Sequence, residues 1–244
     1  MDRNLWYFKQ CSLFENLTEE QARRLDSQAR FRKYKKNDLI YSPSEPGQTV
    51  FILGKGQVKI KDLTPEGKES ILAFIDEGEI FGELALIDDS EPRQEYAEAA
   101  SACELLIVPG TEVLRLMEQR SDIALSITKL IGLRRRRIEN RLRNVLFLSS
   151  RERMIRLLLE LVESHGQWND DVCRIKLSLS HQEIASLIGV TRETVTAVLG
   201  KLQAQGLIRV QRRKISVVNW GQLQKLATAQ GVLEESLSRS AIPE

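Results

Sequence analysis

An arginine followed by a glutamate, Arg192 and Glu193, stands at the predicted start of a helix, where both side chains would be exposed. An arginine can donate two hydrogen bonds to the O6 and N7 atoms of guanine, and a glutamate can accept one from the N4 amino group of cytosine. Thr191 precedes them as a predicted helix cap, and Thr196 lies one turn further along the same face. Solvation or the helix dipole would explain either charge alone, so the surrounding elements decide the interpretation.

The elements around this pair have the pattern of a helix-turn-helix. Ser180 and Glu183 have the spacing of a capping box and predict a short helix, which Gly189 ends in a left-handed conformation. A second helix is predicted from Arg192 to Gly206. Apolar positions that would hold the two helices at an angle are Ile184, Leu187, Ile188, Val195, Val198, Leu199 and Leu202. In this context the first turn of the second helix is predicted to contact base edges.

A basic hairpin follows the second helix and predicts a wing. Its strands are expected at 207–210 and 215–218, and its turn carries Arg212, Arg213 and Lys214. We expect these cations to contact the phosphate backbone, a contact that positions a protein on DNA without specifying sequence.

The N-terminal half has the pattern of an all-β domain. Between Asp38 and Val108, short runs rich in Val, Ile and Phe alternate with turns that contain Gly or Pro. Many short strands at close spacing are typical of a sandwich or roll. The whole chain is therefore predicted to be an α+β protein with an N-terminal β-sandwich or β-roll, of which the family resemblance described below implies the β-roll, followed by a long helix and a C-terminal winged helix-turn-helix.

One long helix is predicted from near Ser121 to near Leu148. Within it Ile131, Ile138 and Val145 recur every seven residues, which favours a dimeric coiled coil over a helix packed on its own domain.

Two arginines of this helix, Arg134 and Arg141, lie three residues after Ile131 and Ile138 and so at or beside the predicted dimer interface. They would pair with Glu139 across the dimer, meet an anionic effector, or form a solvated flank.

Charge is distributed unevenly along the chain. Residues 38–118 hold 6 basic and 17 acidic side chains, whereas residues 119–150 hold 8 and 2, and residues 151–220 hold 11 and 7. This distribution indicates two functions, the second with a polyanion. We divide the chain into a sensor domain at 1–118, a dimerisation helix at 119–148, a DNA-binding domain at 149–220 and a C-terminal extension at 221–244.

Several classes of protein are excluded by composition. The chain has three widely spaced cysteines and two histidines, both in its C-terminal half, so zinc, iron–sulfur and haem sites are not expected. An enzyme is not expected either, because no nucleophile and base are paired in the sequence. The N-terminus lacks the pattern of a signal peptide and no apolar run spans a membrane, which predicts a cytoplasmic protein.

These features together resemble the cyclic-AMP receptor protein (CRP/FNR) family of bacterial regulators over residues 13–218. Two segments carry the resemblance, Phe81–Leu86 with Arg93 and the helix-turn-helix with its Thr191-Arg192-Glu193 start. The resemblance implies a homodimer that binds a pseudo-palindromic operator and recruits or blocks RNA polymerase. It also implies phosphate contacts from Ser180 and His181. Where family members commonly have arginine this chain has Ala197, so one base of each half-site should be read differently.

The same resemblance implies an effector site. Its residues would be Gly82, Glu83, Leu84, Arg93 and Gln94 in the roll, and Ile138 and Glu139 on the long helix. Glu83 would accept a hydrogen bond from a ribose hydroxyl and Arg93 would pair with a phosphate. Cyclic-AMP binders usually have a hydroxyl residue after the arginine and on the helix, and here Gln94, Ile138 and Glu139 stand instead. The effector is therefore left unknown: a cyclic nucleotide, another ligand or none.

The sequence thus predicts a DNA-binding transcription regulator in which an effector or a redox change acts through the roll. The alternatives are a signal-binding protein whose C-terminal domain docks a protein partner, and an effector-independent regulator.

Overall fold

The computed structural model describes residues 7–8, 11–87 and 92–229. The N-terminal residues 1–6 and the last part of the predicted extension, 230–244, lie outside the described residues. The chain divides into two compact units, Met1–Ile138 and Glu139–Glu244. The division falls inside the long helix, whereas the sequence placed boundaries at its ends. The helix is continuous, but its first part packs in the core of the first unit and its last part packs in the second unit.

The first unit is a β-roll of two four-stranded antiparallel sheets. A capped helix precedes it, α1 (Glu19–Gln28), with a capping box formed by Thr18 and Gln21. The strands are β1 (Arg30–Tyr34), β2 (Leu39–Tyr41), β3 (Thr49–Lys55), β4 (Val58–Leu63), β5 (Glu69–Ile75), β6 (Ile80–Phe81), β7 (Tyr96–Ala99) and β8 (Cys103–Pro109). A single 3₁₀ turn, Glu83–Leu86, follows β6.

Strand β3 shows how the roll forms its core. The sheet orders are β1-β8-β3-β6 and β2-β7-β4-β5, so β3 is a central strand. Alternate side chains of β3 face opposite sides. Phe51 and Leu53 belong to the core between the two sheets, whereas Val50 and Ile52 belong to a second core that includes Phe8, Phe14, Leu25, Val113 and Ile123. Both faces of the strand are therefore buried, which explains its continuous apolar run.

Two lysines are buried on the roll by a closed ion network. Lys59 and Lys61 of β4 pair with Glu69 of β5 and Glu98 of β7, with Lys59 Nζ 2.9 Å from a Glu98 oxygen and Lys61 Nζ 2.8 Å from a Glu69 oxygen. Buried charges are tolerated when they are paired in this way.

Two helices follow the roll, α2 (Gly110–Gln119) and α3 (Ser121–Phe147), and α3 lies close to the range predicted for the long helix. Ile123 and Ile127 of α3 are fully buried in the second core, which fixes the start of the long helix against the roll. None of the described helices is long and apolar enough to span a bilayer.

Within the described residues, the second unit contains the end of α3, four further helices and one antiparallel sheet. The helices are α4 (Ser150–His165), α5 (His181–Ile188), α6 (Arg192–Ala204) and α7 (Trp220–Ala229), and the strands are β9 (Gly166–Asn169), β10 (Val172–Ile175), β11 (Ile208–Gln211) and β12 (Lys214–Val217). The sheet order is β11-β12-β10-β9. Strand β9 was not predicted. Gly166 ends α4 with extended backbone and also begins this strand.

Candidate nucleic-acid interface and effector cassette

The helix-turn-helix is formed by α5 and α6 with the predicted caps. Ser180 accepts from the Glu183 amide at 3.2 Å, and the Glu183 carboxylate accepts from the Ser180 amide at 2.8 Å. Gly189 ends α5 with φ of 64°, in the left-handed region that favours glycine. Thr191 caps α6 by accepting from the Thr194 amide at 3.2 Å. These contacts set the turn and expose the start of α6.

The first two turns of α6 present one polar face to solvent. Arg192, Glu193, Thr196 and Ala197 are exposed, while the apolar residues of the same helix are buried against α5. Hydrogen bonds from its own backbone amide and from the Thr191 hydroxyl hold the pKa of Glu193 below its usual value. The carboxylate is therefore ionised near neutral pH, the form that accepts a hydrogen bond from a cytosine amino group.

His181, at the start of α5, is tied to this face. Its Nδ1 lies 2.8 Å from the Thr196 hydroxyl oxygen, and that hydroxyl lies 3.0 Å from the Arg192 carbonyl oxygen. The contact links the two helices at the exposed end of the motif. The sequence placed His181 near phosphate but gave no sign of this pairing, because the two residues lie on different helices.

The wing turn carries three exposed cations, Arg212, Arg213 and Lys214. Gln211 and Lys214 pair across the hairpin, and Arg212 adopts a left-handed φ of 55°. Left-handed backbone costs about 1 kcal/mol or more for a residue other than glycine. An arginine at this position therefore has a conformational free-energy cost that a glycine would not have.

Arg153 of α4 supports the turn between α5 and α6 and was not predicted. Its Nη1 donates to the carbonyls of Ile188 at 2.8 Å and Gly189 at 3.2 Å. A side chain on Gly189 would lie 3.3 Å from Val145 and 3.5 Å from Arg153, so this glycine is packed closely. Arg141 and Val145 of α3 line the cleft beside the turn. The end of the long helix thus contacts the helix-turn-helix within the second unit.

In the roll, Arg93 is folded inward over the start of the 3₁₀ turn. Its Nη2 donates to the Thr49 carbonyl at 2.7 Å and to the Thr49 hydroxyl at 3.1 Å. Its guanidinium lies 4.1 Å from the centre of the Tyr41 ring, a cation–π contact. Gly82 allows this approach, since a Cβ there would lie 2.9 Å from Arg93 Nη1. Gln94 and Leu84 are exposed.

A carboxylate also lies beside this arginine. Tyr41 donates to Glu95 at 3.0 Å, and burial together with Glu95 raises the pKa of the Tyr41 phenol well above its usual value. The phenol therefore stays protonated and holds Glu95 in place next to the cassette.

Glu83 pairs with Arg134 of α3, a contact that the sequence did not predict. Arg134 Nη1 lies 2.6 Å from a Glu83 oxygen, and its Nη2 donates to the Ile80 carbonyl at 2.6 Å. Arg134 is therefore mostly buried and not a solvated flank, and its pairing with Glu139 across a dimer stays a prediction. The roll presents a buried carboxylate and a carbonyl to the helix, and a buried carboxylate requires a cation.

Comparison with known proteins identifies both units. Residues 31–120 match the cyclic nucleotide-binding domain family, and residues 152–226 match the Crp-like helix-turn-helix domain family. The global nitrogen regulator of Synechocystis sp. is 32% identical over 187 residues, which cover 76% of this chain and 83% of that protein. The chain belongs to the CRP/FNR family of transcription regulators. It is accordingly a DNA-binding regulator with a cyclic nucleotide-binding-like sensor domain, and not an enzyme.

Other family members agree in sequence and fold. The cAMP-activated global transcriptional regulator CRP of Salmonella typhimurium is 28% identical over 192 residues, covering 78% of this CRP/FNR chain and 90% of that protein. The crystal structure of a CRP/FNR family regulator from Thermus thermophilus superposes with a TM-score of 0.65 at 30% identity, covering 83% of this chain and 100% of that one.

The predicted dimer stripe of this CRP/FNR protein is partly exposed. Ile138 and Val145 are about half exposed, at 48% and 47%. Ile131 is partly buried against the core of the first unit, so it serves that core as well as any interface. Other large apolar side chains exposed on α3 are Leu125, Leu133, Leu142, Leu146 and Phe147.

We expect the pair of Glu83 and Arg134 to stabilise the roll. Removal of one partner of a buried ion pair costs about 3–5 kcal/mol, and because Arg134 retains some solvent contact we expect Glu83→Gln to cost about 2–3 kcal/mol. Urea unfolding measures this change in the free energy of unfolding. Glu19→Gln, which removes an exposed pair with Arg23, is the matched control and should change little. Equal midpoints for the two variants would contradict the role given to Glu83.

The thiols of this regulator are expected to be inert. Burial raises the pKa of Cys11 and of Cys103 to about 11, and it also raises the pKa of Cys173. The reactive thiolate is then scarce near neutral pH. Iodoacetamide should label the folded protein only slowly and the denatured protein completely. A redox route of control would instead show rapid labelling, or a loss of DNA binding on diamide treatment that a reductant reverses.

Proposed function

We propose that this regulator binds as a homodimer to a pseudo-palindromic operator, with Arg192 and Glu193 contacting a G·C pair in each half-site. The observation that carries the proposal is the exposed start of α6, which Thr191 caps. An exposed arginine and an ionised glutamate are neighbours there, and the wing turn carries three further exposed cations. Two such helices one DNA turn apart, about 34 Å, would fit two half-sites.

The phosphate contacts in this proposal come from both sides of α6. Ser180 and His181 lie at the start of α5, and Arg212, Arg213 and Lys214 lie at the wing turn. Arg212 and Arg213 form the two-residue turn between Gln211 and Lys214, a turn that favours a positive φ, so the cations lie at the tip of the wing. Phosphate contacts of this kind make the affinity for DNA fall steeply as the salt concentration rises.

Ala197 adds a specificity element to the proposal. It is exposed on the same face as Thr196 and has no group that donates or accepts a hydrogen bond. An alanine can contact only a thymine methyl group among the base edges of the major groove. We expect the base at this position to show weak selection, with a preference for thymine.

For the sensor we propose control by a ligand other than cyclic AMP, or no ligand control of DNA binding. Arg93 is already bonded to Thr49 and Tyr41, and Glu83 to Arg134, so both side chains expected to bind a cyclic nucleotide have partners within the chain. Glu95 adds a carboxylate beside Arg93, which opposes phosphate binding. A ligand that bound Glu83 would displace Arg134 from it. Because Arg134 belongs to α3, this change would act directly on the long helix.

Selection from a randomised duplex library with the full chain tests both proposals. Inverted half-sites that share a G·C pair support the dimeric interface, and non-symmetric sites contradict it. The selected duplex is then titrated with and without cyclic AMP. An unchanged Kd supports the proposal for the sensor, and a tenfold gain in affinity contradicts it. We further propose that the regulator is a cytoplasmic protein that acts on RNA polymerase. Transcription in vitro from the selected site would measure its effect on the polymerase.

A further inference from the structure

His181 has one ring nitrogen occupied by the protein and one left for DNA. Its Nδ1 contacts the Thr196 hydroxyl at 2.8 Å. Within the described part of the chain its Nε2 has no hydrogen-bond partner. The ring is half-buried and is attached to the exposed face of α6. The chemistry of the Nε2 atom therefore depends on which nitrogen carries the proton when the ring is neutral.

The Thr196 hydroxyl decides which nitrogen of the neutral His181 ring carries the proton. It has one hydrogen and two acceptors within reach, the Arg192 carbonyl at 3.0 Å and His181 Nδ1 at 2.8 Å. If the hydroxyl donates to the carbonyl, it can accept from Nδ1–H, and both contacts are hydrogen bonds. If it donates to Nδ1, only one contact is a hydrogen bond. The arrangement that satisfies both contacts places the proton on Nδ1 and leaves Nε2 as an acceptor in the neutral ring.

A DNA phosphate offers only acceptors. A neutral ring with a bare Nε2 would meet it lone pair to lone pair, whereas the imidazolium donates from Nε2 with a favourable charge. We propose that His181 contacts phosphate as the imidazolium, and that each protomer takes up a proton when it binds its half-site. The proposal rests on the DNA-binding interface proposed above and adds a pH dependence to it.

The charges around the ring are compatible with this linkage. Cations oppose protonation in the free protein and anions favour it, so a phosphate that arrives next to the ring shifts the balance toward the charged form. On α5 itself the charged side chain is Glu183. The two helices packed against α5 add Arg192, Glu193 and Lys201 on α6 and Arg151, Glu152, Arg153, Arg156, Glu160, Glu163 and His165 on α4.

Proton uptake on binding sets the direction of the pH dependence. The bound state holds more protons than the free state, so operator affinity rises as the pH falls through the range in which histidine titrates. With one histidine in each of two half-sites we expect affinity to fall about tenfold from about pH 6 to about pH 8 at constant salt.

The chain offers a matched control because it contains two histidines, His165 and His181. His165 ends α4, outside the helix-turn-helix. Anisotropy titrations of the selected duplex against pH compare the native chain with His165→Gln and His181→Gln. We expect His165→Gln to keep the tenfold change and His181→Gln to lose it, since glutamine keeps a neutral donor. A native chain without the change, or a His181→Gln variant that retains it, would overturn the proposal.

A second measurement needs no DNA. Two-bond nitrogen–proton spectra of the free protein at high pH report the tautomer of each histidine, and we expect the Nδ1–H form for His181 and a loss of this preference in Thr196→Val. An Nε2–H tautomer would overturn the proposal, because the neutral ring could then donate to phosphate. Failure of the operator proposal would look different: no sequence preference at any pH, for the native chain and both histidine variants alike.

Discussion

Arg192→Ala is expected to lower operator affinity by about a hundredfold, the largest loss for any single substitution in the interface. A bidentate arginine–guanine contact contributes about 1–3 kcal/mol of discrimination, and a dimer makes the contact twice. Affinity for unrelated duplex should fall far less, since phosphate contacts from the wing remain. Anisotropy with the selected duplex and with a scrambled one separates the two effects.

Two further variants make the result for Arg192 specific. Arg174→Ala removes an exposed arginine of β10 outside the helix-turn-helix and the wing, and it should leave the affinity unchanged. Arg192→Lys keeps the charge but loses the planar fork of donors, and it should lose sequence preference almost as fully as alanine. If lysine restored the native preference, Arg192 would act through charge alone.

Ile138→Glu is expected to dissociate the dimer and, with it, operator binding. Ile138 is a half-exposed apolar residue in the middle of the predicted heptad stripe of α3. A glutamate there would place two like charges against each other in an apolar contact, so we expect the dimer dissociation constant to rise by about a hundredfold or more. Sedimentation equilibrium measures the dimer, and anisotropy measures operator binding.

The control for Ile138 is on the same helix. Leu133 is equally exposed, but five residues at about 100° each place it roughly 140° around the helix from Ile138. Leu133→Glu should leave the dimer intact. Dissociation by both variants, or by neither, would show that α3 does not associate through the stripe of Ile138 and Val145.

Local signals in the sequence were sufficient to predict the ends of the helices in the helix-turn-helix. The predicted caps at Ser180 and Thr191 are formed, and Gly189 adopts the left-handed conformation expected of it. Each of these features depends on hydrogen bonds between residues three or four apart. A single sequence contains all the information needed for such contacts.

Contacts between distant residues could not be predicted in the same way. Arg134 was placed beside the dimer stripe by its helical spacing, but its partner Glu83 lies 51 residues earlier and belongs to the roll. Arg153 was likewise assigned no role, although it holds the carbonyls that end α5. Periodicity gives the face of a helix on which a side chain lies, but it does not give the group that meets it.

The most direct test of the dimeric interface is the spacing between half-sites. Duplexes carrying the two selected half-sites at their natural separation are compared with duplexes lengthened at the centre by about five base pairs, half a helical turn, which moves one half-site to the opposite face of the DNA. We predict that the lengthened duplex binds no better than one half-site alone. Equal affinity for the two duplexes would contradict a two-fold pair of helices that carries Arg192 and Glu193 into successive major grooves.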